Sequence, residues 1–289
     1  MPKQNQSVID LEPTLFSENS SLKLPKKDCV TAATEVSSST MITTTPKIEP
    51  PYSSCKDLVS NVSGIYLIRV KNESEPFPAY CEQEKFGGGW LVFQYRYDGS
   101  VDFYRNWTEF KNGFGDLKKE FWLGLEKLHQ LTSIRPYELI VELKDFNSTY
   151  KYARFDRFEI GSESEQYSLK TLGKYSGTAG DSLEYHKEMK FSTADRDHDK
   201  SSGNCANIYE GAWWHKDGHY SHLNGRYLNA ENNKAMGWYH FNNKHQGMSH
   251  SRMMIRPLPR ASEREKLRTV ARQRRTAATA AAVTPVSSY

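Results

Sequence analysis

Short aromatic and β-branched runs, each bounded by turn formers, fill the middle of this chain and are missing from its two ends. Residues 64–70 (GIYLIRV) and 90–97 (WLVFQYRY) have the content of strands. Asp98-Gly99 follows the second run and predicts a hairpin turn there. Leu117, Phe121, Leu125, Leu128 and Leu131 recur at helical spacing, which predicts one amphipathic helix over 117–131. Leu139, Val141 and Leu143 alternate as one face of a half-buried strand, and a strand over 150–160 is expected to pair with it. From Asp181 onward turn formers and aromatics dominate and periodicity fades. That last third is expected to be held by something other than β-ladders.

Residues 1–52 are rich in Ser, Thr, Pro and Lys and cannot bury enough apolar surface to offset their ordering entropy. They read as a disordered linker with neither heptads nor Gly-x-y repeats. Residues 260–289 read as a basic, alanine-rich tail that forms a short helix or none. The stretch 53–259 is long enough for a single core. The net charge of +4 does not belong to it: from Arg260 onward seven Lys and Arg face two Glu, so the remainder carries −1. No domain-wide footprint for nucleic acid follows. No apolar run of about 18 residues is present, which excludes a membrane-spanning helix. The opening MPKQNQSVIDLEPTLF lacks the apolar stretch of a secretory leader. Six Asn-x-Ser/Thr sequons, at Asn5, Asn19, Asn61, Asn72, Asn106 and Asn147, argue the other way, and the balance favours an extracellular glycoprotein.

Asp195, Asp197 and Asp199 alternate just before Lys-Ser-Ser-Gly. Carboxylates so crowded repel one another unless a cation sits among them, and hard oxygens suit Ca²⁺; a solvated acidic turn is the alternative. An EF-hand is excluded, because its sixth and twelfth loop positions would be Lys200 and Ala206. His215, His219 and His222 lack a fourth ligand at zinc-motif spacing and read as surface or hydrogen-bonding histidines. Gly87-Gly88-Gly89 lacks the Lys-Ser/Thr of a phosphate loop and reads as a tight turn. No paired acid and base and no activated nucleophile stands out, so no catalytic residue is assigned and the chain reads as a non-enzyme. The aromatics from Trp213 to Phe241 are dense enough for sugar stacking, although most are expected in the core.

Nine ordered blocks carry a family resemblance: CKDL at Cys55, SGIYLI at Ser63, YCEQEKFGGGWLVFQYR from Tyr80, FWLGLEKLHQLT from Phe121, FSTADRDHD, NCA, GAWW, SHLNG and MMIRP at Met253. In order and spacing the chain resembles the fibrinogen-related domain, the C-terminal globe of fibrinogen chains, ficolins, tachylectins, tenascins and angiopoietins. The resemblance implies an α+β globe with a disulfide-tied N-terminal lobe, a central antiparallel sheet with few helices, and a loop-rich lobe holding calcium and the ligand pocket. Ca²⁺ is implied at Asp197, Asp199 and the carbonyls of Ser201 and Gly203, with Asp195 either structural or supporting those ligands from behind. Cys55 and Cys81 match the first family disulfide. Cys205 matches half of a second whose partner position is Gly218, so Cys205 is expected unpaired, with a bridge to Cys29 or to another chain as the alternative. Tyr209 and His219 match ligand-pocket positions, while Gly218 and Asn232 replace the family's cysteine and tyrosine there. The implied role is a secreted recognition protein that binds acetylated or other glycans with calcium support. The alternative is a protein ligand for a cell-surface receptor or adhesion partner, with oligomers possible through Cys29.

Overall fold

The computed structural model describes residues 51–260, with Glu265, Arg268, Thr269 and Gln273 beyond them. All but the last two residues of the expected linker, and most of the expected tail, lie outside the described residues. In chain order the elements are β1 (Gly64–Ile68), β2 (Phe77–Glu82), β3 (Trp90–Arg96), α1 (Trp107–Asn112), β4 (Phe114–Gly115), β5 (Phe121–Trp122), α2 (Leu125–Ile134), β6 (Tyr137–Asp145) and β7 (Tyr150–Glu159). There follow β8 (Thr171–Leu172), β9 (Tyr175–Gly177), α3 (Cys205–Ile208), β10 (Ser221–His222), β11 (Gly237–Trp238) and β12 (Met248–Pro257). One ten-stranded sheet runs β1-β2-β3-β12-β6-β7-β8, with β5 against β3, β4 against β5 and β9 against β7. Its pairings are antiparallel, and with the few short helices this is the α+β globe expected.

The Cys55–Cys81 disulfide forms and ties the turn before β1 to β2. The β6–β7 pair is present as expected, with Val141 opposite Ala153. Strand β6, however, is not half-buried. Leu139, Val141 and Leu143 face the apolar core, while Glu138 and Glu142 on the other face are also buried, at 4% and 0% exposure. Arginines make this tolerable: Glu138 pairs with Arg154 and Arg256, and Glu142 with Arg252.

Asp98-Gly99 does not close a hairpin. The carboxylate of Glu120 accepts hydrogen bonds from the N–H groups of Tyr97, Asp98, Gly99 and Val101 at 2.6–3.1 Å, so the turn is pinned to a distant side chain and the chain runs on to α1. The helix expected over 117–131 is likewise corrected. It begins only at Leu125, after Gly124 at φ 115°, and buries Leu125, Leu128, Leu131 and Thr132. Phe121 and Trp122 are strand residues because Tyr95 and Gln94 of β3 offer them a free edge, and Leu117 sits half-buried in the turn before them. Pro136, shortly past the last turn, biases the preceding backbone away from helix.

Ladders also reach the last third of the chain, contrary to expectation. Strand β12 is the central strand, paired with β3 on one side and along its whole length with β6 on the other. The remainder of that third is indeed loop. It is fastened by a stack of buried aromatics in which Phe191 lies 5.3 Å from Phe110 and 5.2 Å from Trp214. Trp214 donates its indole N–H to the carbonyl of Tyr167 at 2.8 Å.

Candidate functional site

The oxygen-rich loop starts from a fixed point. Asp195 accepts from the backbone N–H of Trp107 at 2.9 Å and from the Thr193 hydroxyl at 2.7 Å. It anchors the start of α1, which is the structural role expected of it. Beyond it the chain curls around its own carboxylates. Asp197 accepts from the N–H of Asp199 at 3.2 Å, and the two oxygens of Asp199 accept from Ser201 N–H and Cys205 N–H, each at 2.8 Å. Asn204 then caps α3 through Asn207 N–H and ties back to the carbonyls of Thr193 and Ala194. Among the described residues no group of three or more His, Cys, Asp or Glu side chains converges on a metal position. The oxygen set here has two carboxylates and otherwise depends on carbonyls.

Helix α3 carries the loop into the second half of the site. Cys205, its first residue, is a free and buried thiol among the described residues, as expected, and Cys29, the alternative partner, lies outside them. Burial and the Asp199 carboxylate push that thiol up to about 12, so it stays protonated. Tyr209 follows the helix, and its ring packs edge-on against His219 with centroids 4.6 Å apart. His219 is in turn 4.9 Å from His222 and 5.0 Å from His245. The backbone N–H of Lys200 donates to the carbonyl of Lys216 at 2.7 Å, which joins the oxygen-rich loop to the segment leading to Gly218.

The three histidines are buried, so the surface part of the expectation is corrected and the hydrogen-bonding part stands. Through Nε2, His215 donates to Gly211 O, His219 to Asn233 O and His222 to Tyr209 O, at 3.1, 2.9 and 3.2 Å. Among the described residues the buried Nδ1 atoms of His215 and His222 have no hydrogen-bond partner. Burial holds His215 down at about 4 and drives His219 and His222 well below the ordinary imidazole value. His186, which sequence reasoning missed, donates from Nδ1 to Trp214 O and accepts the N–H groups of Tyr220 and Ser221 at Nε2. It is held neutral, at about 3, by burial.

Above this layer lies a depression of about 510 Å³. Tyr209 and Asn232 line it together, and Lys234 and His245 join them. His219 is not in the lining, although its ring packs against that of Tyr209. Gly218 also stands outside the lining, and a Cβ there would meet only the Tyr209 hydroxyl, at 3.9 Å. Lys234 and His245 are more than twenty residues from Tyr209 in sequence; the hydrogen bond from Asn232 N–H to His245 O and the Glu231–Gln246 bridge bring the two segments together, and Lys234 pairs with Glu210 beside Tyr209. Of the sequons, Asn61, Asn72, Asn106 and Asn147 are all exposed, while Asn5 and Asn19 lie outside the described residues. No helix among the described residues is long and apolar enough to cross a membrane.

Comparison with known proteins agrees with this architecture. Human tenascin-R is 40% identical over 223 residues, covering 76% of this chain and 16% of tenascin-R. Human ficolin-3 is 48% identical over 181 residues, 61% of this chain and 60% of ficolin-3. The chain thus spans less than two thirds of these relatives' length. Among solved structures, the fibrinogen-like globe domain of human ANGPTL6 superposes with a TM-score of 0.69 at 39% identity, covering 73% of this chain and 97% of that one. Lamprey fibrin D-dimer, solved with the peptide ligand Gly-His-Arg-Pro-amide, matches with a TM-score of 0.64 at 34% identity, over 68% of this chain and 70% of that one. A family described as fibrinogen beta and gamma chains, C-terminal globular domain, matches residues 52–258, and the chain belongs to that family.

Proposed function

We propose that this chain is an extracellular, non-enzymatic recognition protein that binds acetylated or other glycans at the Tyr209–Asn232 depression, with calcium support from residues 197–203. The observation that carries the reading is continuity: one short segment holds the oxygen-rich loop at one end and Tyr209 at the other, with α3 between them. Asp197 and Asp199, with the carbonyls of Ser201 and Gly203, make the all-oxygen donor set that Ca²⁺ requires. The backbone N–H groups already gripping Asp199 orient its carboxylate before any ion arrives. A bound ion would supply a cross-link that stiffens the loop. The protein's own contribution is to transmit that order through α3, and through the Lys200–Lys216 hydrogen bond, to the ring of Tyr209.

The test is retention on N-acetylated resin, with and without chelator, for the wild type and for the Asp197→Ala, Asp199→Ala double variant. Retention is expected for the wild type with calcium and in neither other case. Wild-type retention in excess chelator, or retention of the double variant, would sink the reading. A receptor or adhesion ligand is the second reading, favoured by Gly218 and Asn232 at positions where the family resemblance implies cysteine and tyrosine. Under it, acetylated sugars do not compete for the partner. A glycan array run with and without calcium separates the two.

A further inference from the structure

A second depression, of about 490 Å³, opens on the other side of Glu210. It lies between residues 99–104 and 224–228. Glu210 forms the partition: it pairs with Arg226, which lines this depression, and with Lys234, which lines the one beside Tyr209. Arg226 is therefore already neutralised.

Arg96 is not. It lines the same depression, is 2% exposed, and has no hydrogen-bonded carboxylate among the described residues. Its hydrogen bonds leave from Nη1 alone, to the carbonyls of Leu223 and Gly225. Among the described residues buried Nε has no partner, and Nη2 makes no hydrogen bond. Nε is sealed from solvent, so Nη2 is the nitrogen left to donate to an incoming carboxylate. The nearby acid groups do not meet that nitrogen. Glu120 is spent on the backbone N–H groups of Tyr97, Asp98, Gly99 and Val101, and Asp102 accepts from Tyr104 N–H. Burial lowers the guanidinium to about 10, which leaves it cationic at neutral pH. A buried cation without an ion-pair partner is costly, and an incoming anion relieves that cost.

The walls narrow the kind of anion. Phe103 lies 4.1 Å from the guanidinium carbon and fixes its plane. Tyr104 stands 43% exposed among the lining residues and offers a ring face for a pyranose to rest on. The volume falls in the range of small-ligand sites and is ample for one sugar unit. We infer that this depression is a second binding site, one for a carboxylated sugar, whose carboxylate meets Arg96 and whose ring packs on Tyr104. It is separate from the acetyl-type site proposed above and does not depend on calcium.

The test uses the full chain, titrated with sodium glucuronate, which carries no acetyl group, and followed by NMR and calorimetry. Glucose and sodium acetate supply the ring and the charge singly. Glucuronate is expected to bind at least tenfold tighter than either and to shift the amides of Ser100 and Gly225, not those of Tyr209 and Asn232. Ser100→Trp, which fills the depression from an exposed position, should abolish binding. Asp102→Asn removes a repelling charge while keeping the acceptor for Tyr104 N–H, and should tighten binding about threefold. Arg96→Lys should weaken binding at least tenfold, and Ser100→Trp keeps the test open if that chain does not fold. Chelator should leave glucuronate binding in place while it abolishes retention on acetylated resin, so failure of either site is visible without the other. Equal binding of acetate or glucose, shifts confined to the Tyr209 depression, or full binding by Ser100→Trp each overturns the assignment.

Discussion

Replacing Arg252 with methionine removes the cation shared by two buried carboxylates. Arg252 is 8% exposed and donates from Nε to Glu142 at 2.6 Å and from Nη1 to Glu82 at 2.8 Å. Its Nη2 sits against Glu142 as an ion pair without hydrogen-bond alignment. Breaking a buried pair from one side costs about 3–5 kcal/mol, because a charge is left without its partner. The lower end applies here: Glu142 keeps Lys85 and Tyr150, and Glu82 keeps the N–H groups of Glu84 and Lys85. A loss of about 3 kcal/mol corresponds to roughly 6–12 °C in Tm for a domain of this size. Urea unfolding followed by tryptophan fluorescence reads it well, since Trp90, Trp107, Trp122, Trp213, Trp214 and Trp238 are all buried.

The sign of the pH dependence is a second check on the same variant. Burial alone would raise Glu142 and Glu82, but hydrogen bonds and Arg252 outweigh it and hold both below the ordinary carboxylate value. Their stabilisation in the wild type is present above pH ~4.5 and lost as pH falls through the lowered folded values. Without Arg252, burial raises Glu142, which takes up a proton at higher pH. The stability gap between variant and wild type should therefore narrow from pH 7 to pH 5. A loss under about 1 kcal/mol, or a gap that widens on acidification, would refute the assignment.

Three further outcomes follow from other parts of the fold. Cys55 and Cys81 are 26 positions apart, so reduction or a paired serine substitution should cost about 3.5 kcal/mol on the chain-entropy model, read as a lower urea midpoint. Gly247→Ala would drive its Cβ into the carbonyl of Leu228, and a destabilisation of about 1–3 kcal/mol or more is expected; a wild-type Tm would show that the backbone yields there. His186 and His215 stay neutral in the fold down to about 3 and 4, whereas the unfolded chain protonates near 6.5. Stability should fall as pH drops below 6.5, by about 3–4 kcal/mol in total at pH 5, and equal urea midpoints at pH 7 and pH 5 would contradict it.

What the sequence disclosed depended on whether the decisive partner was near or far along the chain. Strands β1 and β3 announced themselves through aromatic and β-branched content, and β6 with β7 through alternation and proximity. The Asp98-Gly99 signal was outvoted by Glu120, about twenty residues away, whose carboxylate has no local signature. Phe121 and Trp122 fit a helical stripe as well as a strand, and only the free edge of β3 decided between them. Strand β12 escaped notice because Arg252 and Arg256 interrupt its apolar pattern, and their neutralising glutamates lie on β6 and β2. The oxygen-rich loop was legible because its Asp and Ser oxygens crowd one short segment. The histidine layer was not, since His186 and His245 reach it from distant positions.

The place of β12 in the sheet also sets a timetable for synthesis. Strands β3 and β6 leave the ribosome early, yet the strand that separates them, Met248–Pro257, comes near the end of the described chain. Until it is made, two long hydrogen-bonding edges stand open with a gap one strand wide between them. At roughly 5–20 residues per second, the edge of β3 waits on the order of ten seconds or longer for its neighbour. The nascent globe is thus an unfinished sheet for most of its translation. Those open edges are templates for pairing with other chains until the final strand fills the slot.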